Sequence, residues 1–276
     1  MNSSIPIAVS TGTFFPLPTI QSIQQCKELG IQDVELTLQQ FEFSLTFERE
    51  LFMPILPELS ALVQSGGLCV RSVHAPSNHA HCYNLWARRE FLIQSIAVCR
   101  QLGGQLVVIH PYHLFRTHED ALNYLAGNDT LSPSALLPGV NDVLNLAASA
   151  GIQLALENIQ DWADEVFFNA PQNISRFLRD MNHPALGFTL DLMHAQVSGF
   201  LDEFVHSSPN DILNIHASDF LPPTKRVPIG RGVIGWDQLV PKLQSLPNLR
   251  QITVELSNPQ PDELLESVEL LSAQMA

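Results

Sequence analysis

The chain has 276 residues with a formal charge of −14, from 14 Lys and Arg against 28 Asp and Glu. At 45% hydrophobic and 15% charged residues it holds material for a large core, which excludes a disordered or coiled-coil chain, while the acidic surplus repels polyphosphate and disfavours nucleic acid as a partner. The length is close to the roughly 250 residues of a single α/β barrel, so one domain over 1–276 is expected.

In chain order, short apolar runs alternate with helix-like stretches. The strands expected are Ile5–Ser10, Asp33–Leu38, Cys69–His74, Leu106–His110, Gln153–Asn158, Leu186–Asp191, Ile212–His216 and Ile252–Leu256. Each is nearly continuously apolar, as parallel strands buried on both faces are. The clearest helix is Trp86–Leu102, with Phe91, Ile96, Val98 and Leu102 on one face and Gly103-Gly104 as its stop. Gly30 and Gly151 end two others just before a strand. Eight such βα units fit a closed (β/α)8 TIM barrel better than an open doubly wound sheet. Tyr112–Pro138 is too long for a plain connection and is expected to form a lid or rim. Cys26, Cys69, Cys82 and Cys99 lack CxxC spacing, so reduced thiols are expected. No charged leader and no apolar run of about 20 residues is present, which points to a cytoplasmic protein with no membrane partner.

The chemistry lies at the strand ends. Six of the eight runs finish at or near His74, His110, Glu157, Asp191, His216 and Glu255, and in a (β/α)8 barrel those ends converge on the face where active sites are built. A single carboxylate there is more often a helix N-cap or an ion-pair partner than a metal ligand. Three among apolar neighbours would repel each other, and a shared divalent cation removes the repulsion. Glu157, Asp191, His216 and Glu255 are therefore the expected metal ligands. His74 and His110 bind either a second ion or a substrate hydroxyl. His194, three residues after Asp191, is placed to face the same pocket. His79-Ala80-His81-Cys82 has no fourth ligand at tetrahedral spacing and reads as rim decoration.

These residues lie in VHAP (73–76), VVIHP (107–111), LALEN (154–158), LDLMH (190–194), IHASD (215–219), RVPIGRG (226–232) and VEL (254–256). In this order the motifs resemble the xylose isomerase-like barrel superfamily, which includes sugar isomerases, ketose 3-epimerases, inosose dehydratases and metal-dependent apurinic endonucleases. By resemblance to the epimerases, Glu157, Asp191, His216 and Glu255 hold a divalent metal. His194 and Arg226 take the positions that hold substrate oxygens. The resemblance implies a metal-dependent isomerase or epimerase of carbohydrate metabolism, acting on a small sugar or polyol by proton abstraction through an enediolate-type intermediate, with Glu157 and Glu255 as the catalytic carboxylates. Three carboxylates and one histidine favour Mn²⁺ or Mg²⁺, whereas recruiting His74 and His110 favours Zn²⁺.

The endonuclease branch carries a zinc-binding histidine where this chain has Arg226, and an aspartate where it has Thr224. Arginine cannot release its proton to ligate zinc, but its fork suits a hydroxyl, carboxylate or phosphate. Lys225, Arg226 and Arg231 form a local basic cluster that leaves a phosphorylated sugar open. The alternatives are an inosose-type dehydratase, an apurinic endonuclease-like phosphodiester hydrolase and a metabolite-binding barrel without turnover. A homo-oligomer is also compatible, since helix faces that pack on the barrel read like those that form a dimer.

Overall fold

The computed structural model describes residues 5–38, 52–76, 85–125, 131–159, 169–223 and 225–275. His79, His81, Cys82 and Thr224 lie outside them. Eight parallel strands close a barrel in the order β1 (Ile7–Ser10), β2 (Asp33–Thr37), β3 (Cys69–His74), β4 (Leu106–Ile109), β5 (Gln153–Glu157), β6 (Leu186–Asp191), β7 (Ile212–Ala217) and β10 (Gln251–Val254). Pairing of Val9 with Val34 on one side and with Val254 on the other closes the ring and excludes the open sheet. Every strand in the sequence reading is present, Cys69–His74 and Leu186–Asp191 with both ends as expected and the others with no end shifted by more than two residues. His110, Asn158 and Glu255 fall just past their strands.

Strand alternation places successive side chains on opposite faces. One face packs against the helices in a continuous core that includes Val9, Val34, Val73, Val107, Leu156, Leu190, Ile215 and Val254. The other face lines the barrel. There, Leu106, Val108 and Ala155 share the strand faces of His110 and Glu157, and they cluster with Leu213 apart from the outer core.

Ten α-helices occur among the described residues rather than eight. Two are additions to the expected pattern: His118–Leu125 lies inside the long connection, and the β6 crossover is split into Leu192–Val197 and Leu201–Ser207. The connection is packed down. Leu114, Phe115, Tyr124 and Leu137 are buried, the Phe115 ring stands 5.4 Å from Phe177, and the Arg88 guanidinium donates to Phe115 O at 2.9 Å and to Arg116 O at 2.5 Å. Its described residues form a docked rim element rather than a free flap.

After β7 the chain makes a short antiparallel hairpin, β8 (Asp219–Leu221) with β9 (Lys225–Val227), which has no counterpart in the sequence reading. Cys26, Cys69 and Cys99 are free thiols, and burial pushes Cys26 and Cys99 up to about 12, so both stay protonated. No helix among the described residues is long and apolar enough to cross a membrane.

Candidate metal centre

Parallel strands deliver their ends to one rim, so residues far apart in sequence meet. One ligand atom from each of Glu157, Asp191, His216 and Glu255 lies within 4.8 Å of the others, and the same holds for His74, His110 and Glu157. Glu157 belongs to both groups. Its Oε2 is 3.0 Å from His74 Nε2 and 3.2 Å from His110 Nε2. Its Oε1 is 3.3 Å from His216 Nδ1, which in turn is 3.4 Å from Glu255 Oε2. Although His216 is fully buried, neither ring nitrogen makes a geometrically sound hydrogen bond among the described residues. A buried nitrogen in that state is costly unless something accepts its lone pair. An Nδ1 with no hydrogen bond of good geometry, aimed between carboxylates, in a set of three carboxylates and one imidazole, fits a divalent ion.

Asp191 also does both things expected of a lone strand-end carboxylate. Its Oδ1 caps Leu192–Val197 by accepting from His194 N at 2.7 Å, and its Oδ2 accepts from Arg226 Nη2 at 2.8 Å. Asn158 ties the neighbouring strand ends together, accepting from Asp191 N at 2.7 Å and donating to Asp191 O at 3.0 Å.

Arg226 reaches the centre through the β8–β9 hairpin, where it pairs with Phe220 while Lys225 on its flank is exposed. Its Nη1 donates to Glu255 Oε2 at 2.7 Å and to Glu255 O at 3.0 Å, and its Nη2 also lies 3.2 Å from His194 Nε2. His194 Nδ1 donates to Asn158 O at 2.8 Å, which leaves Nε2 to accept from Arg226. Both residues assigned to substrate oxygens thus face the site, but with their polar atoms already engaged. Lys225, Arg226 and Arg231 line one cavity of about 360 Å³ with Leu256 and Asn258. Arg231 is not free charge there, since Glu263 and Glu266 hold its guanidinium at 2.9 and 2.5 Å.

The electrostatics follow from crowding. Burial pushes Glu157 up, but His216 and His110 outweigh it and hold the carboxyl well below its usual range. Burial likewise opposes ionisation of Glu255, and Arg226 and His216 bring it below the ordinary value. For His216, burial works against the charged form, yet Glu35, Glu157 and Glu255 together raise it well above a normal histidine. His74 is raised despite burial by its bond to Glu157, whereas burial prevails at His110 and lowers it. Desolvation of Arg226 is overcome by Asp191 and Glu255, which raise it further. In the absence of a metal, protons and one guanidinium balance the carboxylates.

Two acidic residues of this region were not anticipated. Glu35, fully buried in β2, has Oε1 3.0 Å from His216 Nε2. A polar residue in the middle of an apolar strand was the available signal. It sits two residues before Thr37, as Ser72 sits two before His74 and Asn214 two before His216, which puts all three in one layer beneath the centre. Asp219, also fully buried, accepts from Gly230 N at 3.1 Å, Ile234 N at 3.0 Å and Trp236 Nε1 at 3.0 Å, and so folds the RVPIGRG turn.

A family model described as "Xylose isomerase-like TIM barrel" matches residues 23–274. The chain belongs to this family. Among curated proteins, Uncharacterized protein MJ1311 of Methanocaldococcus jannaschii is 24% identical over 162 residues, 57% of this chain and 53% of its own length. MJ1614 of the same organism is 25% identical over 63% of each. The chain thus spans less than two thirds of the length of either archaeal relative. Among solved structures, a D-tagatose 3-epimerase-like protein superposes with a TM-score of 0.74 at 19% identity, covering 98% of this chain and 97% of the other. The IOLI protein with a binding zinc atom gives 0.66 at 16% over 98% of both chains. AP endonuclease, family 2 from Brucella melitensis gives 0.66 at 16% over 93% and 94%. At these identities the likeness establishes the fold, and sugar epimerases and an endonuclease both share it.

Proposed function

We propose that this xylose isomerase-like barrel is a divalent-metal-dependent isomerase or epimerase of a small polyhydroxylated substrate. The observation that carries the reading is the meeting of Glu157, Asp191, His216 and Glu255 around an imidazole nitrogen that makes no hydrogen bond of good geometry among the described residues. The sugar epimerases among its structural neighbours support the substrate class. Mn²⁺ or Mg²⁺ suits the four-residue set, and Zn²⁺ suits His74, His110 and Glu157.

A bound ion would polarise a carbonyl and acidify the adjacent C–H. The two catalytic carboxylates are not equivalent. The Glu255 side chain is 24% exposed against 3% for Glu157, and among the described residues no donor is bonded to Glu255 Oε1. Glu255, held ionised by Arg226, therefore takes the carbon-bound proton on Oε1. Glu157 approaches the same His216 Nδ1 with its Oε1, while its Oε2 lies between His74 and His110. For inversion, Glu157 would pass a proton from its hydrogen-bonded partner His74 to the opposite face of the same carbon, with Glu255 releasing the captured proton to solvent. If Glu255 instead returns its proton to the former carbonyl carbon, and the hydroxyl proton passes to the former carbonyl oxygen, the carbonyl moves. Arg226 and His194 hold substrate oxygens by exchanging one of their present bonds, Arg226 through its fork and His194 through Nε2.

The test is solvent-deuterium incorporation, followed by NMR, across a panel of ketoses, aldoses and inososes with the Mg²⁺-loaded protein. One deuterium at the carbon beside the carbonyl, abolished by chelation and by Glu255→Gln, is expected. Binding without exchange would establish a metabolite-binding module, and loss of a β-hydroxyl would establish a dehydratase. The hydrolase reading draws on the shared endonuclease fold and the His74–His110–Glu157 group, and efficient cleavage of abasic duplex DNA would put it first. The charge of −14 argues against that outcome.

A further inference from the structure

We propose that Glu35 is the positioning residue of the centre: from the layer below, it keeps the proton of His216 on Nε2, so that Nδ1 presents its lone pair to an ion shared with Glu157, Asp191 and Glu255. The inference deepens the metal reading and rests on it.

The polarity of the surrounding hydrogen bonds decides which end of Glu35 faces where. Gln251 Nε2, a donor only, gives one hydrogen to Ser72 Oγ at 2.7 Å and the other to Thr253 Oγ1 at 3.0 Å. Ser72 must then send its own hydrogen onward, to Glu35 Oε2 at 2.7 Å. Thr253 sends its hydrogen to Asn214 Oδ1 at 3.1 Å, which leaves the Asn214 amide nitrogen to donate to the same Glu35 Oε2 at 3.3 Å. Two donors converge on Oε2. Oε1 has no hydrogen bond of good geometry and lies 3.0 Å from His216 Nε2. All of Glu35, Ser72, Asn214, Thr253 and His216 are fully buried, and Gln251 nearly so, so water does not scramble this order. A carboxylate oxygen is an acceptor only, so the His216 nitrogen that faces it must carry hydrogen. The opposite nitrogen, Nδ1, faces Glu157 Oε1 and Glu255 Oε2, and its hydrogen is the one that an ion shared with those carboxylates would displace, while the hydrogen on Nε2 stays with Glu35. Carboxylate partners of metal-binding histidines fix the tautomer in this way.

The arrangement makes Glu35→Gln a sharp probe. An amide has one acceptor end, which Ser72 and Asn214 claim, so its NH₂ end turns to His216 Nε2 and drives the ring proton onto Nδ1. The shape is kept and the lone pair is lost. Isothermal titration with Co²⁺ is expected to show affinity reduced about 10- to 100-fold in Glu35→Gln, with a changed Co²⁺ ligand-field spectrum and an unchanged far-UV spectrum. Ser72→Ala, which disturbs the same layer but leaves the carboxylate, should stay within about threefold. Binding by Glu35→Gln within threefold of the unaltered protein overturns the role of Glu35 while leaving the metal site standing. Failure of the unaltered protein to bind Co²⁺ overturns both. Should the variant not fold, ¹⁵N-resolved imidazole spectra of the Zn²⁺-loaded protein decide: a solvent-protected proton on His216 Nε2 supports the assignment, and zinc on Nε2 with the proton on Nδ1 refutes it.

Discussion

Arg226 is a permanent cation set between Asp191 and Glu255, two of the carboxylates of the four-residue group. Removing one partner from a buried pair typically costs about 3 to 5 kcal/mol, because the remaining charges are left uncompensated. Arg226→Ala should therefore lower the melting temperature of the metal-free protein, and added Mn²⁺ should raise it more in the variant than in the parent. Equal melting temperatures with and without Mn²⁺ in both proteins would count against a shared carboxylate site.

His113 supplies a second test at this scale. It is fully buried, takes a hydrogen bond from His110 N on Nδ1 at 3.0 Å, and donates from Nε2 to Pro76 O at 2.9 Å, which pins the turn presenting His110. Burial, and then His110, lower its pKa to about 3. The unfolded chain thus takes up this proton first on acidification. The contribution is fully present above about pH 6.5 and is lost as pH falls toward 3, at roughly 1.4 kcal/mol per pH unit. Urea unfolding between pH 6 and 4.5 should show a steeper loss in the parent than in His113→Asn, and parallel slopes would refute it. Neither His113 nor Glu35 stands at a strand end. That is why a search of the ends found the ligand candidates and passed over the residues that support them.

At the level of elements, the strands were legible because burial on both faces leaves an apolar run that periodicity detects. The β8–β9 hairpin was not. Its strands have three residues each, pair as strands only with each other and carry Lys225 and Arg226, so no pattern marks them. What fixes the hairpin is Asp219 and the close approach of Gly232, where a Cβ would stand 2.2 Å from Asp219 Oδ1 and 2.4 Å from Phe220 O. Both atoms belong to a buried, hydrogen-bonded turn and cannot give way. Gly232→Ala should cost at least about 2 kcal/mol by denaturant unfolding. It should also displace Arg226, so substrate turnover falls further than stability alone explains. An unchanged midpoint would show that the turn is not held as described. The segment from Tyr112 to Pro138 was legible as an insertion, while its docking through Phe115, Tyr124 and Phe177 depends on contacts with the distant helix Pro171–Met181.

Across the whole molecule, closure of the barrel is the step that turns six scattered residues into one site. It was readable because each βα unit repeats the same signals, and because strand direction alone sends His74, His110, Glu157, Asp191, His216 and Glu255 to one rim. The two-residue alternation then stacks the Glu35, Ser72 and Asn214 layer below it, an order visible only once the register of β2, β3 and β7 is known. The central claim is that the four-residue group binds a divalent ion. Anomalous diffraction at the manganese edge from crystals grown at neutral pH with Mn²⁺ tests it most directly. The account predicts a peak within coordination distance of Glu157, Asp191, Glu255 and His216 Nδ1. A map with no peak between these side chains, and with Arg226 still bridging Asp191 and Glu255, would contradict it.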